Sequence, residues 1–497
     1  MKHLDISQNK SIFEQAVPNS SSYKKGSILN RLPELAKGKY VLIFILPICI
    51  VIGVFLALEQ YVLALGLLSV FLPFFIFVFP YIGLIVFFGL TYARPQDYVP
   101  GLMGKPVILI LLGATIVFWL VHILAFQKRE FVKAPQNLLL IAFLLVITIS
   151  TSRVWLIGAK DSFIEFFKII LTYLLIINLT DTHKKFSILL WIMFAGTVYI
   201  ALLGIFQHYG VAPALAGTTP DINRGRIQGF GIFNNANYLA YGTAFMIPFA
   251  LYSFYYSRAL PIKLISLAVV PAIFLQCIYY TGSRGGTLCA VFTIAFTIFQ
   301  DRKTKTSVIG ILVSLALFFI LINMVSYLGN VDDYQDDSSA MGRVEAWSAG
   351  FDMLKSSPLL GVGYNQFREH WVLVAHNAYV QVGSELGIIG LYIWLGMLYY
   401  SYKCLRKVTQ ISTDTSQRVH AKSLKATFLA FCIGSCFTAL GYFMLLYIFH
   451  SFSVIAANLY LPEEEKREIN HIKSKDLLII AGIEFLVLCG WYIFPKL

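Results

Sequence analysis

QKREFVKAPQNLLLIAFLLVITISTSRVW, Gln127–Trp155, decides the fold. Lys128, Arg129 and Lys133 crowd its start, and from Asn137 to Ser152 no charged side chain interrupts the apolar run. At about 1.5 Å per helical residue, roughly twenty such residues cross a hydrocarbon core about 30 Å thick. A lone strand there would leave backbone N–H and C=O groups facing lipid, so the run reads as a spanning helix over Asn137–Trp155.

The same pattern recurs outward in both directions. Runs over Val107–Phe126, Phe163–Leu179, Phe186–Phe206, Tyr238–Tyr256, Leu264–Tyr280, Thr287–Phe299, Ser307–Leu328, Ile388–Tyr402 and Leu477–Ile493 predict further spans. Tyr40–Tyr92, punctuated by Pro73 and Pro80, predicts two or three more, and Thr427–Tyr460 one broken span or two. The expected fold is an all-α polytopic integral membrane protein with about 12–15 transmembrane helices. Composition agrees: of 497 residues, 58% are hydrophobic and 13% charged, and the mean hydropathy is +0.72. Most of this chain cannot form the surface of a water-soluble domain.

The basic flank of the quoted stretch also sets orientation. Short loops with Lys128, Arg129 and Lys133, with Lys184 and Lys185, with Arg258 and Lys263, with Arg302, Lys303 and Lys305, and with Lys403, Arg406 and Lys407 mark the cytoplasmic face. They account for the net charge of +13 without a nucleic-acid partner. Residues 1–39 form a polar arm with Lys24, Lys25, Arg31, Lys37 and Lys39, which reads as cytoplasmic and not as a signal peptide. Residues 40–497 read as one membrane domain. Alternation puts Thr91–Lys105, His208–Asn237, the Gly282–Gly286 turn and the long segment 329–387 outside.

Seven cysteines fall in or beside apolar spans, so a disulfide framework is not expected. Cys432 and Cys436 share a helix face without a His or carboxylate beside them, which reads as core packing, not a metal pair. The acidic run VDDYQDD at 331–337 lacks the ligand alternation and glycine of a calcium loop and reads as solvated.

The chemistry is expected outside. Segment 329–387 is too long for a plain connection and carries Arg343, Trp347, His370, Trp371 and His376. GRVEAWSAGFDMLKSS has apolar residues at Val344, Trp347, Phe351 and Leu354, the spacing of a short amphipathic helix, and SSPLLGVGYNQF stops it. No ATP is available on that side, so an enzyme there needs an activated substrate, and a polyprenyl diphosphate meets the need. Arginine suits its phosphate oxygens because the guanidinium stays charged and offers a planar fork. The outer segments hold Arg224 and Arg226 in NRGRIQGFGIFNNANYLA, Arg284 in YYTGSRGGTLCA, Arg343 and Arg368.

Arg284 sits at the mouth of two apolar helices. Snorkelling to headgroups is one reading; Gly285 and Gly286, which clear space for a large ligand and backbone N–H groups, favour the other. In HNAYVQVGSELGIIG, His376 is either a hydrogen-bonded structural residue or a base near neutral pH, with Asn377 and Glu385 at hand to orient it.

Four passages together resemble the O-antigen ligase and O-antigen polymerase superfamily: GRIQGFGIFNNANYLA, YYTGSRGG, GRVEAWSAGFDMLKSSPLLGVGYNQF and HNAYVQVGSELGIIGL, spanning roughly Arg224 to Leu391. The extended polar N-terminus and the apolar block after Ala426 depart from the shorter members. The resemblance implies a GT-C-like membrane glycosyltransferase of the bacterial inner membrane, with its N-terminus cytoplasmic and its active loop periplasmic. The donor would be an undecaprenyl-diphosphate-linked glycan and the acceptor a hydroxyl of lipid A core, another glycan or a protein. By the same resemblance Arg226, Arg284 and Arg343 hold the diphosphate and His376 is the general base; Arg224, Asn377 and Glu385 are expected from their places in the sequence to bind the diphosphate or the glycan. Thr91–Lys105 offers only Asp97 where metal-dependent enzymes of this kind carry a carboxylate pair, so an inverting transfer without metal or other cofactor is expected. Ligase and polymerase share these motifs. A lipid-linked sugar transporter is the rival from another class, opposed by the lack of internal repeats and of ionisable residues at mid-membrane.

Overall fold

The computed structural model describes residues 54, 61–97, 102, 104–126, 130–211, 226–229, 231–256, 259–300 and 335–493. Two compact units divide the chain at 78/79. The first contains α1, Tyr61–Val78, with Pro73 inside the helix.

The second unit opens with α2, Pro80–Ala93, whose proline stands in the first turn, where its missing N–H costs nothing. It continues with α3 (Val107–Val121), α4 (Pro135–Val154), α5 (Leu156–Leu179), α6 (His183–His208), α7 (Ala236–Tyr256), α8 (Leu260–Leu264), α9 (Val270–Thr281) and α10 (Arg284–Phe299). After the segment outside the described residues come α11 (Gln335–Ser356), α12 (Phe367–His370), α13 (Ala378–Ile411), α14 (Thr415–Gly434), α15 (Met444–Tyr460), α16 (Glu463–Asn470) and α17 (Ser474–Ile493). Among the described residues there is no strand, and the chain is an all-α polytopic membrane protein.

α4 has two apolar faces, one packed and one exposed. Leu138, Ile141, Leu145 and Ile149 lie three or four apart and are exposed, whereas Leu140, Phe143, Leu144 and Ile147 are buried. Period 3.6 puts the first set on one apolar, exposed stripe, as the lipid-facing side of a spanning helix requires.

Six described helices are long and apolar enough to span: 107–125, α4, α5, α6, α13 and α17. The predicted span Ser307–Leu328 lies outside the described residues. Three further predicted spans contain apolar helices of 10–17 residues, α9, α10 and α15. The predicted run Leu264–Tyr280 belongs to one helical stretch, α8 to α9, with a π turn over Ile265–Val269. The Thr427–Tyr460 block divides at a non-helical stretch, 435–443, between α14 and α15.

Two helices organise the packing. α7 lies against α9, α10 and α14, and α13 against α4, α14, α15, α17 and α11. α13 starts at Ala378, well before the predicted Ile388, and breaks at Gly387, where φ is 68° and ψ −170°. The Pro-Leu-x-Gly-x-Gly run docks on that break: Ile388 N donates to Pro358 O at 2.9 Å, Gly363 N to Glu385 O at 2.9 Å and Val362 N to Ser384 O at 3.0 Å. A Cβ at Gly387 would run into the Leu359 backbone, and one at Gly361 into the Glu385 backbone. These two glycines are where two chain segments touch backbone to backbone.

The ends of the unit differ in chemistry. One end carries Lys403 on Asp476 at 2.7 Å and Lys407 on Glu465 at 2.6 Å. The other carries α11, the Gly282–Arg284 turn and the 435–443 stretch, and there the tip of α17 joins α11 through Trp491 Nε1 donating to Trp347 O at 2.7 Å.

Candidate active site

Arg226 and Arg284 meet at the turn between α9 and α10. Gly282 ends α9 at φ 60°, a conformation open to glycine, and Ser283 caps α10 by accepting from Gly286 N at 3.2 Å. Arg226 donates from Nε to Thr281 O at 2.6 Å and from Nη2 to Asn237 Oδ1 at 3.4 Å. Ser283 Oγ donates to the same Asn237 oxygen at 2.8 Å. Arg284, the first residue of α10, is exposed. Arg224 lies outside the described residues.

The glycines beside Arg284 do not leave open space. A Cβ on Gly285 would strike the Tyr241 hydroxyl of α7 and come within 3.3 Å of Phe437 Cβ; one on Gly286 would strike Ala240. They let α7 pack against the first turn of α10, and the side chain that fills the gap carries its own hydroxyl.

Arg343 and His376 form the other half. Arg343 lies half-buried on α11, and its charge acts on both the His376 ring and the Tyr241 hydroxyl. His376 adopts φ 48°, uncommon for a residue with a side chain. Neighbouring bonds hold it there: Trp347 Nε1 donates to Ala375 O at 2.8 Å, and Ala378 N to Ser435 O at 2.7 Å. Held strain of this kind concentrates at functional sites. Burial, and then the nearby Arg343 guanidinium, push the imidazole down to about 4. The ring is therefore neutral at pH 7 and offers a lone pair.

The two remaining residues are drawn into structural work. Asn377 caps α13, its Oδ1 accepting from Tyr379 N at 2.9 Å and Val380 N at 3.2 Å. Glu385 is buried, and its carboxylate accepts from Asn365 N and Phe367 N, each at 3.1 Å. That carboxylate holds the Asn365–Phe367 turn. Asp97, the carboxylate of the first outer loop, pairs with Arg94 at 2.8 Å.

Reasoning from sequence missed Tyr241 and the 435–443 stretch. Ser435 accepts from Ala378 beside His376, and Phe437 reaches Gly285 beside Arg284, so this stretch touches both halves of the site. The signal was present in Gly434, Ser435 and Gly441, which interrupt an apolar block.

Residues 267–395 match the O-antigen ligase family. The match covers α9, α10, α11 and the first half of α13, hence Arg284, Arg343 and His376, and it supports the O-antigen ligase and polymerase superfamily for this chain. No curated protein matches the chain.

Proposed function

We propose, for a chain whose residues 267–395 match the O-antigen ligase family, that it transfers a glycan from an undecaprenyl diphosphate carrier to an acceptor hydroxyl on the periplasmic face of the bacterial inner membrane. The observation that carries this reading is the His376 backbone, fixed at φ 48° by bonds on both sides of it, with its half-buried ring close enough to Arg343 to feel that charge. The acceptor oxygen attacks the anomeric carbon and its proton passes to His376. The bond from the anomeric carbon to the phosphate oxygen breaks, its electron pair leaving with the diphosphate. One displacement inverts the anomeric centre.

Arg284, Arg343 and Arg226 neutralise charge growing on the leaving group, the interaction that lowers a barrier most directly. Diphosphate binding also offsets the Arg343 charge at His376, which raises the basicity of the imidazole as the donor arrives. Arginines take the part of a metal in this reading, since Asp97 is already paired with Arg94. The acceptor is a hydroxyl on lipid A core, a second glycan or a protein; loss of the attached chain on gene deletion marks a ligase, and single repeat units on an intact acceptor mark a polymerase.

The test compares two variants with purified lipid-linked donor in the presence of a chelator. His376→Ala keeps donor affinity while turnover falls by roughly 10²–10⁴-fold, the range for a lost general base. Arg284→Lys keeps the charge, loses the fork and stays impaired. Wild-type turnover in a folded His376→Ala protein sinks the base assignment, and rescue only by magnesium or manganese sinks the metal-free one.

A further inference from the structure

The first turn of α10 keeps a polar group in reserve. Its cap uses Gly286 N on Ser283 Oγ and Thr287 N on Ser283 O, whereas Gly285 N–H has no hydrogen-bond partner among the described residues. Unpaired N–H groups at a helix start point along the axis with partial positive charge and attract anions. The second observation is Tyr241. Its ring is stacked on Phe245 and the residue is 2% exposed. Its hydroxyl is aimed at Gly285 and has no hydrogen-bond partner among the described residues. The residue is buried, yet no group among the described residues pairs with its hydroxyl, and such a group calls for an explanation. Arg343 supplies positive charge to the same point.

The geometry points to a phosphate-oxygen seat at the start of α10, in which the Tyr241 O–H and the Gly285 N–H donate to the diphosphate of the lipid-linked donor. Naming the ligand a diphosphate rests on the glycan-transfer reading above. Position 285 is glycine because a side chain there displaces the hydroxyl. The seat explains why α7 presents a tyrosine, not a phenylalanine, to this turn: the ring fills the gap and the oxygen serves the ligand.

The probe is inorganic pyrophosphate, added without divalent cations to the full chain in phosphatidylcholine nanodiscs and read by thermal protection. Wild type binds it. Tyr241→Phe, which removes one oxygen and leaves the ring, weakens binding about tenfold or more, the scale of a hydrogen bond to a charged group, while the melting temperature without pyrophosphate is unchanged. Gly285→Ala weakens binding by pushing the hydroxyl aside, and it lowers the melting temperature less in the Tyr241→Phe background, where the nearest obstructing atom is gone. Wild-type pyrophosphate affinity in either variant overturns the seat, as does a wild type that binds none. If added phosphatidylglycerol displaces pyrophosphate, the seat takes phospholipid headgroups and the diphosphate assignment falls. Glycan transfer with no pyrophosphate binding sinks the seat and spares the transferase reading; Tyr241-dependent binding without transfer does the reverse.

Discussion

His376 shows how much one side chain owes to its neighbours. Its residue type suggested a base with an ordinary titration near 6.5; burial and Arg343 place it near 4 instead. The sign of the consequence follows. Between about pH 6.5 and 4 the unfolded chain binds a proton at this position and the folded chain does not, so stability is complete above that window and falls as pH drops through it. For catalysis, the acid limb of kcat/KM lies near pH 4, because that parameter reports the free enzyme. Both donor phosphates are esterified and add no ionisation near neutrality. The limb of kcat moves to higher pH, since the bound diphosphate offsets Arg343 and favours the imidazolium. A kcat/KM limb at pH 6.5 would contradict the buried position of the ring. The sequence reading began these two helices later, at Thr287 and Ile388; the structure shows Ser283 and Asn377 as their caps, each side chain accepting from an amide two or three residues on.

At the scale of elements, the break in α13 decides the outer segment. The sequence announced glycines at 361, 363, 387 and 390 but not that Gly361 and Gly387 face each other's segments, nor that Glu385 serves the turn at Asn365–Phe367. Gly387→Ala adds a side chain to a backbone at φ 68° that already touches Leu359, and strain alone costs about 1–3 kcal/mol. The expected result is a strongly lowered melting temperature in detergent. Gly482→Ala, in α17 with nothing within 4 Å of the added carbon, is the matched control and leaves melting unchanged or slightly raised. Glu385→Gln turns one acceptor into a donor against a backbone N–H and costs about 1–3 kcal/mol. Equal melting temperatures for Gly387→Ala and Gly482→Ala would refute the docking account.

At the scale of the whole molecule, the helix ends sort by charge: Lys403 and Lys407 pair at one end, and Arg226, Arg284, Arg343 and His376 lie at the other. With the basic loops cytoplasmic, Ser356→Cys reacts with an impermeant thiol reagent in intact cells with a permeabilised outer membrane, and Glu464→Cys reacts only after lysis. The reverse pattern would invert the topology and remove the site from the periplasm. The sequence by itself determined the helical membrane architecture and the apolar runs that build it. These follow from local runs of twenty residues or fewer partitioning between lipid and water. Only the tertiary structure decided that Tyr241 fills the space over Gly285, that 435–443 touches both halves of the site, and that Glu385 holds a turn. Each of the last three depends on surfaces brought together by packing between separate segments, and no local pattern encodes which residue will arrive opposite.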